Sequence, residues 1–318
     1  MAEKRVSRRG FLNTGALAVG AAAASHALAA EEKQPMRVRL GLNLLLYTVD
    51  FPKEKIDLIP KVAEMGYDGV ELPFIVLDTI DAAATRRAIE QAKIGATACA
   101  VLTPGTSLIS DKPEERQAGL ERMKKCVDLA AACGCDAVAG PLYHPVGVLA
   151  GRGRTEDEWK RGIEGLRASA EHAAKANITI AIEYLNRFET YFLNTAADTL
   201  ALIREVNHPN LKVQIDTFHA NIEERDTAAA IRAVGANIGH FHACENDRGT
   251  PGTGQVPWDK VFTALREANY SRWITIESFA RGIRDLCAAA CIWRDIYDSP
   301  DGLARQGLAF LKKMTGRA

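Results

Sequence analysis

From Arg37 onward, short apolar runs alternate with longer segments whose apolar residues recur at helical spacing, and the rhythm continues without a linker or a break in composition. The apolar runs predict strands at Val38–Leu44, Gly69–Leu72, Gly95–Leu102, Ala137–Pro141, Ile178–Glu183, Leu211–Asp216, Ile238–His242 and Trp273–Glu277. Between them, helices are predicted over Lys55–Met65, Thr79–Lys93, Pro113–Ala132, Thr155–Ala176, Thr195–Val206, Thr227–Val234 and Trp258–Ala268. Asp111 and Pro113 supply helix-start chemistry at the third, and Thr155 with Asp157 and Glu158 at the fourth. Eight strand–helix units of about 36 residues each match the size of a (β/α)8 TIM barrel, so the α/β pattern predicts one barrel domain over residues 30–318 rather than two domains.

After the last strand, a helix is expected through Trp293 and another over Leu303–Met314, broken at Ser299-Pro300-Asp301-Gly302. The longest irregular stretch, Leu142–Arg154, carries Gly147, Gly151 and Gly153 and follows the fourth strand. A loop at that end of a barrel strand predicts a lid or a wall facing the substrate.

The first 29 residues break the pattern. Ser7-Arg8-Arg9-Gly10-Phe11-Leu12 precedes an apolar run over Ala16–Ala24 and then Ala27-Leu28-Ala29, the order of a twin-arginine export signal with its cleavage site. The run is shorter than the ~20 residues a membrane-spanning helix needs. The expectation is a chain engaged by the twin-arginine export machinery, cleaved near Ala30 and released into the periplasm without stable membrane insertion. That pathway carries folded proteins, often with a cofactor already inserted.

Composition narrows the partners. The 318 residues carry 40 Lys+Arg against 40 Asp+Glu, so nothing draws the chain as a whole towards nucleic acid or anionic lipid. A small-molecule partner fits better. The seven cysteines show no disulfide framework and no zinc-type pairing, and they read as buried filler, with Cys287 and Cys291 four apart on a predicted helix.

Candidate chemistry appears where ionisable residues end apolar strands, because a charge entering a barrel core needs a partner or a metal. Glu183, Asp216, His242 and Glu277 end the fifth to eighth predicted strands, at spacings of 33, 26 and 35 residues. Each spacing is about one strand–helix unit, so the four groups should meet at the C-terminal mouth, where barrel active sites lie. Three carboxylates and one imidazole at one point suit a divalent metal. Oxygen-rich ligation favours Mn2+, with Mg2+ or Co2+ as alternatives, and zinc fits less well where no thiolate is offered. His240, two residues before His242, is expected one layer deeper as a buried hydrogen-bonding group, while His144, His172 and His208 have no comparable setting.

At these residues the sequence resembles a known family. The strings Ile182-Glu183-Tyr184-Leu185-Asn186-Arg187-Phe188-Glu189, Gln214-Ile215-Asp216-Thr217-Phe218-His219-Ala220-Asn221-Ile222-Glu223-Glu224 and His240-Phe241-His242-Ala243-Cys244-Glu245-Asn246-Asp247-Arg248-Gly249 are similar to those of the ketose 3-epimerases. These comprise the D-tagatose and D-allulose (D-psicose) 3-epimerase group of the xylose isomerase-like barrel superfamily, and the similarity is strongest over residues 179–294. The resemblance implies that Glu183, Asp216, His242 and Glu277 bind a divalent metal, usually Mn2+, and that Glu183 and Glu277 are also the acid/base pair. It further implies that Glu189, His219 and Arg248 hold O1 and O2 of the sugar and that Phe279 lines its apolar face. Related epimerases are commonly homodimers or homotetramers.

The resemblance weakens at Gly140–Gly147 and Leu44–Tyr47, which lack the aromatic-rich character of the D-tagatose enzymes where these face C4 to C6. The reaction centre is therefore more legible than the identity of the sugar. Rival readings are a 1,2-aldose–ketose isomerase, an epimerase, isomerase or lyase of an oxidised sugar or keto-glycoside, and a non-catalytic exported sugar-binding protein. An abasic-site endonuclease of the same superfamily needs a histidine-rich zinc site and a basic surface, which seven histidines and zero net charge do not supply. Phosphorylated sugars are disfavoured because the loops after the seventh and eighth strands offer only Arg248 and Arg281 as cations near a phosphate.

Overall fold

The computed structural model describes residues 34–317; the export segment expected at residues 1–29 lies outside them. Eight parallel strands close on themselves in chain order: β1 (Arg39–Asn43), β2 (Gly69–Phe74), β3 (Gly95–Ala100), β4 (Ala137–Gly140), β5 (Thr179–Glu183), β6 (Leu211–Asp216), β7 (Ile238–Ala243) and β8 (Trp273–Ile276). Closure is made by β1 against β8, in register from Arg39 opposite Trp273 to Leu42 opposite Ile276. Helices cover the outside and side chains fill the inside, so strands such as β2 and β7 are buried along their whole length. That is why the sequence shows continuous apolar runs rather than alternation, and why His240 and His242 inside β7 require partners.

The outer layer comprises α1 (Leu58–Glu64), α2 (Ala82–Ala92), α3 (Pro113–Cys133), α4 (Glu156–Lys175), α5 (Ala196–Val206), α6 (Thr217–Glu223), α7 (Thr227–Val234), α8 (Trp258–Glu267), α9 (Arg284–Ala289) and α10 (Pro300–Thr315). Helix α4 shows how each is fixed. Thr155 accepts a hydrogen bond from the Glu158 backbone N–H while Glu158 accepts one from that of Thr155, closing a capping box, and Gly162, Leu166, Ala170 and Ala173 form its buried stripe. Asp81, Thr195, Asp226 and Ser299 cap α2, α5, α7 and α10 in the same way from one side. No helix among the described residues is long and apolar enough to cross a membrane.

The strand and helix pattern holds, with corrections at the margins. The first helix begins at Leu58, after a short 3-10 turn over Lys53–Lys55. Residue Lys112, not Asp111, precedes α3, and it makes no side-chain cap. Helix α6 was not expected; it starts directly after β6 because Asp216 accepts a hydrogen bond from the Phe218 backbone N–H at 2.7 Å and so acts as its cap. The helix expected through Trp293 is absent. Helix α9 ends before it, with Cys291 in the left-handed region at φ 54°, and Trp293 is exposed. With no buried residue on α9, packing gives no reason to prolong it. Cys287 is therefore helical and Cys291 is not.

Trp273 closes the N-terminal end of the barrel. Its indole fills space left by Gly69 and Gly95, where a Cβ would lie 2.3 and 2.8 Å from the ring. Its Nε1–H donates to Asp136 at 3.0 Å, and the Arg39 guanidinium stacks on the ring 4.1 Å from its centroid.

Candidate active site

The opposite end of the barrel collects the polar groups. Glu183 and Asp216 are the last residues of β5 and β6, His242 is the penultimate residue of β7, and Glu277 follows β8. All four are buried. His242 Nδ1 lies 3.4 Å from Glu277 Oε1 and 3.9 Å from Asp216 Oδ2. Glu183 forms a second group with Asp216 and His219, each offering one atom within 4.8 Å of the others. Glu183 Oε1 is buried without a hydrogen-bond partner. A buried, unpartnered carboxylate oxygen beside two more carboxylates and an imidazole is a donor set that a divalent cation would satisfy.

Two residues outside the expected set belong to this cluster. Glu71, on β2, accepts from His242 Nε2 through Oε2 at 2.7 Å, and its Oε1 is 2.7 Å from His240 Nε2. Asn43, at the end of β1, donates from Nδ2 to both Glu71 (2.8 Å) and Glu277 (3.1 Å). Their ladder register, Asn43 opposite Glu71, brings them to one height, but a single polar residue inside an apolar run carries little signal. His240 is buried one layer deeper, as expected, but its Nε2, 2.7 Å from Glu71 Oε1, lies outside hydrogen-bond geometry and its Nδ1 has no partner, so the expected hydrogen bond is not formed.

Cysteine 244 corrects the view of the thiols as filler. Whereas Cys126, Cys133 and Cys135 pack in the apolar core, Cys244 Sγ sits 3.2 Å from Asp216 Oδ2 and 3.9 Å from Glu277 Oε2. It is two residues beyond His242, and in a strand every second side chain shares a face. That spacing was the available signal.

Arg248 occupies the centre. Its Nη1 donates to Asp216 Oδ2 at 2.7 Å and Glu277 Oε2 at 2.9 Å, and approaches Cys244 Sγ at 3.0 Å. The guanidinium stacks on Phe218, 3.9 Å from the ring centroid, and on Phe279 at 4.9 Å. Its backbone is left-handed, at φ 64°. The loop that bends this way is held by Glu245, whose buried carboxylate accepts from Gly252 N, Val256 N and Trp258 Nε1 at 2.8 to 3.0 Å.

The charges separate the two expected acid/base groups. Burial and the neighbouring Asp216 push the Glu183 carboxyl well above the usual range, towards the neutral acid. Burial alone would raise Glu277 too, but the charge and hydrogen bond of His242, with Arg248, outweigh it and hold Glu277 ionised. Burial likewise opposes a charge on His242, yet the charges of Glu71 and Glu277 and their hydrogen bonds shift it well above the ordinary imidazole value. His219 is pushed down to about 3 by burial, with Arg248 and His242 adding to the effect, so it is neutral. Its Nδ1 accepts from the Asn186 backbone N–H at 3.1 Å, and its Nε2 lies 3.3 Å from the donor Nη2 of Arg248 and 3.9 Å from Glu183 Oε1.

A cavity of about 290 Å³ opens above these groups. Glu183, Glu189, His219, Arg248, Glu277 and Phe279 line it, while Asp216 and His242 lie beneath. Most of the rest of its wall is apolar, from Leu45, Ile75, Val101, Leu102, Leu185 and Leu286 among others, with Cys99 and Thr103 between them. Pro141, Pro145 and Val146 bring the expected loop after β4 to the wall, and the Gly147 backbone N–H donates to Glu189 O at 2.8 Å. His144, by contrast, bonds Ser107 and Val148 O, and His172 pairs with Asp128.

Comparison with known proteins bears on the family and the fold. The family described as Xylose isomerase-like TIM barrel matches residues 59–314. A probable ketose 3-epimerase of Synechocystis is 32% identical over 277 residues, covering 87% of this chain and 96% of that protein. A D-psicose 3-epimerase of Agrobacterium fabrum is 32% identical over 268 residues, 81% of this chain and 92% of that one. The crystal structure of a D-allulose 3-epimerase from Methylomonas in complex with D-allulose superposes with a TM-score of 0.83 at 31% identity, covering 88% of this chain and 98% of that one.

Proposed function

The chain belongs to the xylose isomerase-like TIM barrel family and, within it, to the ketose 3-epimerases, isomerase-class enzymes, and on that premise we propose that it inverts C3 of an unphosphorylated ketose with Glu183 and Glu277 as its acid/base pair. The observation that carries the mechanism is that these two buried carboxyls, one ending β5 and the other following β8, line one cavity. A proton donor and a proton acceptor beside the same carbon are what inversion requires.

A divalent metal held by Glu183, Asp216, His242 and Glu277, with Mn2+ favoured by the oxygen-rich set, would polarise the C2 carbonyl and acidify the C3 hydrogen. Ionised Glu277 takes that proton from one face of the sugar. The planar enediolate then accepts the proton of Glu183 on the other face, and the reverse reaction exchanges the two roles. Arg248 supplies positive charge where negative charge develops on oxygen. His219 hydrogen-bonds a sugar oxygen; Glu189 accepts a hydrogen bond from a hydroxyl, and Phe279 covers the apolar face.

The test is NMR of the Mn2+-loaded protein with D-fructose, D-tagatose, L-ribulose and D-xylulose in D2O. Deuterium at C3 together with a C3 epimer is expected. Label at C1 or C2 with an aldose product would mean a 1,2-isomerase, and no exchange with any of the sugars would overturn the reading.

The Arg8–Arg9 segment and Ala27-Leu28-Ala29 further support export through the twin-arginine pathway, with residues 1–29 removed and the barrel of 30–318 released in the periplasm. Recovery of the cleaved chain in the periplasmic fraction, lost on changing both arginines to lysine, tests this. The family resemblance supports a homodimer or homotetramer, which light scattering would measure.

A further inference from the structure

Seven thiols are present; two, Cys99 and Cys244, stand beside the carboxylates, and Cys244 makes the closer contact. Cys244 is fully buried yet stands outside the apolar core, with Asp216, Glu277 and Arg248 around its sulfur. Its position is fixed from the backbone. Thr217 Oγ1 accepts from the Cys244 N–H at 2.8 Å and donates to the Cys244 carbonyl at 2.6 Å, so the residue is clamped to the start of α6, which Asp216 caps.

Donors of a common ion, each about 2.0 to 2.3 Å from it, lie within about 4.5 Å of one another. The separations here are 3.2 Å from Cys244 Sγ to Asp216 Oδ2, 3.9 Å to Glu277 Oε2, 3.9 Å from Asp216 Oδ2 to His242 Nδ1, and 3.4 Å from His242 Nδ1 to Glu277 Oε1. Arg248 Nη1 already lies within 3.0 Å of Asp216 Oδ2, Glu277 Oε2 and Cys244 Sγ, so the three face one positive group. One further observation points to a metal ion beside it. Glu183 Oε1, on a residue 5% exposed, has no partner and belongs to a group within 4.8 Å that includes Asp216.

We propose that the Cys244 thiolate is a ligand of the site's divalent metal, adding one soft donor to the carboxylates and imidazole and moving its preference from Mn2+ and Mg2+ towards Co2+ and Zn2+. This rests on the reading of the cluster as a metal site. On binding, the S–H bond is replaced by a sulfur–metal bond and the proton leaves to solvent. Soft sulfur ligands select cations of this kind over hard ones that prefer oxygen.

The experiment is X-ray absorption spectroscopy of the zinc- and cobalt-loaded full chain, with Cys244→Ser beside it and Cys99→Ser as control. Cys99 is the other thiol near the cluster, 3.9 Å from Glu277 Oε1. The wild type and Cys99→Ser are expected to show a sulfur scatterer at about 2.3 Å that Cys244→Ser lacks. The variant should also lose roughly tenfold or more of the zinc-over-magnesium preference, the scale of losing even an outer partner of a metal ligand. A wild-type shell of nitrogen and oxygen alone overturns the proposal while leaving the epimerase reading standing. Failure of the protein to bind any divalent metal overturns both. Since the wild-type spectrum alone decides the ligation, the test survives a variant that does not fold.

Discussion

Glu71 Oε2 lies 2.7 Å from His242 Nε2, and this contact decides which imidazole nitrogen faces the catalytic cavity. Holding Nε2–H on Glu71 turns Nδ1 towards Glu277 and Asp216, the orientation a metal ligand needs. Glu71→Gln is therefore expected to weaken metal binding by about 10- to 100-fold while the barrel stays folded. Activity should return at saturating metal. Metal titration of the purified variant measures this, and an unchanged dissociation constant would remove Glu71 from the positioning role.

Arg248 is held by two carboxylates and stacked on two rings, so its charge and its flat shape both matter. Arg248→Ala should lower kcat/KM by about 100- to 1,000-fold, the usual scale for losing a group that stabilises developing oxyanion charge. Arg248→Lys should recover little, because an ammonium reproduces neither the fork nor the stacking. Steady-state kinetics with metal content measured in parallel separates this from metal loss; wild-type turnover in Arg248→Ala would cancel the assignment.

The loop after β4 has its own pH dependence. Burial would raise the Glu158 carboxyl, but paired hydrogen bonds from Arg152, both 2.9 Å, with those from Thr155 and Tyr191, pull it down from its ordinary 4.5 to about 2. A carboxyl depressed on folding stabilises the protein fully above pH 4.5 and loses that contribution as the pH falls towards 2. After discounting for the half-exposed Arg152, this is worth about 1–3 kcal/mol. Denaturant melts of wild type and Glu158→Gln should converge as the pH drops through that window. A gap that persists undiminished at the acid end would show that the contribution is not ionic.

Gly140 ends β4 with φ +135°, and a Cβ there would stand 2.1 Å from the Ala100 carbonyl oxygen. Backbone strain and overpacking each cost about 1–3 kcal/mol, so Gly140→Ala should lower stability by several kcal/mol and shift Pro141 in the cavity wall. Chemical denaturation reads the first effect and KM the second. A variant as stable as wild type would contradict the close approach.

Much of this was legible in the chain because parallel barrel strands announce themselves as uninterrupted apolar runs, and an acidic or imidazole group ending such a run is conspicuous. Glu183, Asp216, His242 and Glu277 stood out for that reason, and the structure brings them to one mouth. Glu71 and Asn43 were not visible, because their importance comes from neighbours 28 residues or more away in the chain. Cys244 was misread because a buried thiol is ordinarily apolar packing, and only the fold shows a carboxylate on its sulfur. Helix α6 escaped notice because seven residues are too few to display a period, and its start depends on Asp216, which the strand pattern had already claimed.

The indole of Trp273 stoppers the barrel below the reacting groups, and the cavity lies at the other end. Sugar, displaced water and product therefore share a doorway. An epimer must leave before the next sugar enters, so product at high concentration competes with substrate for the site.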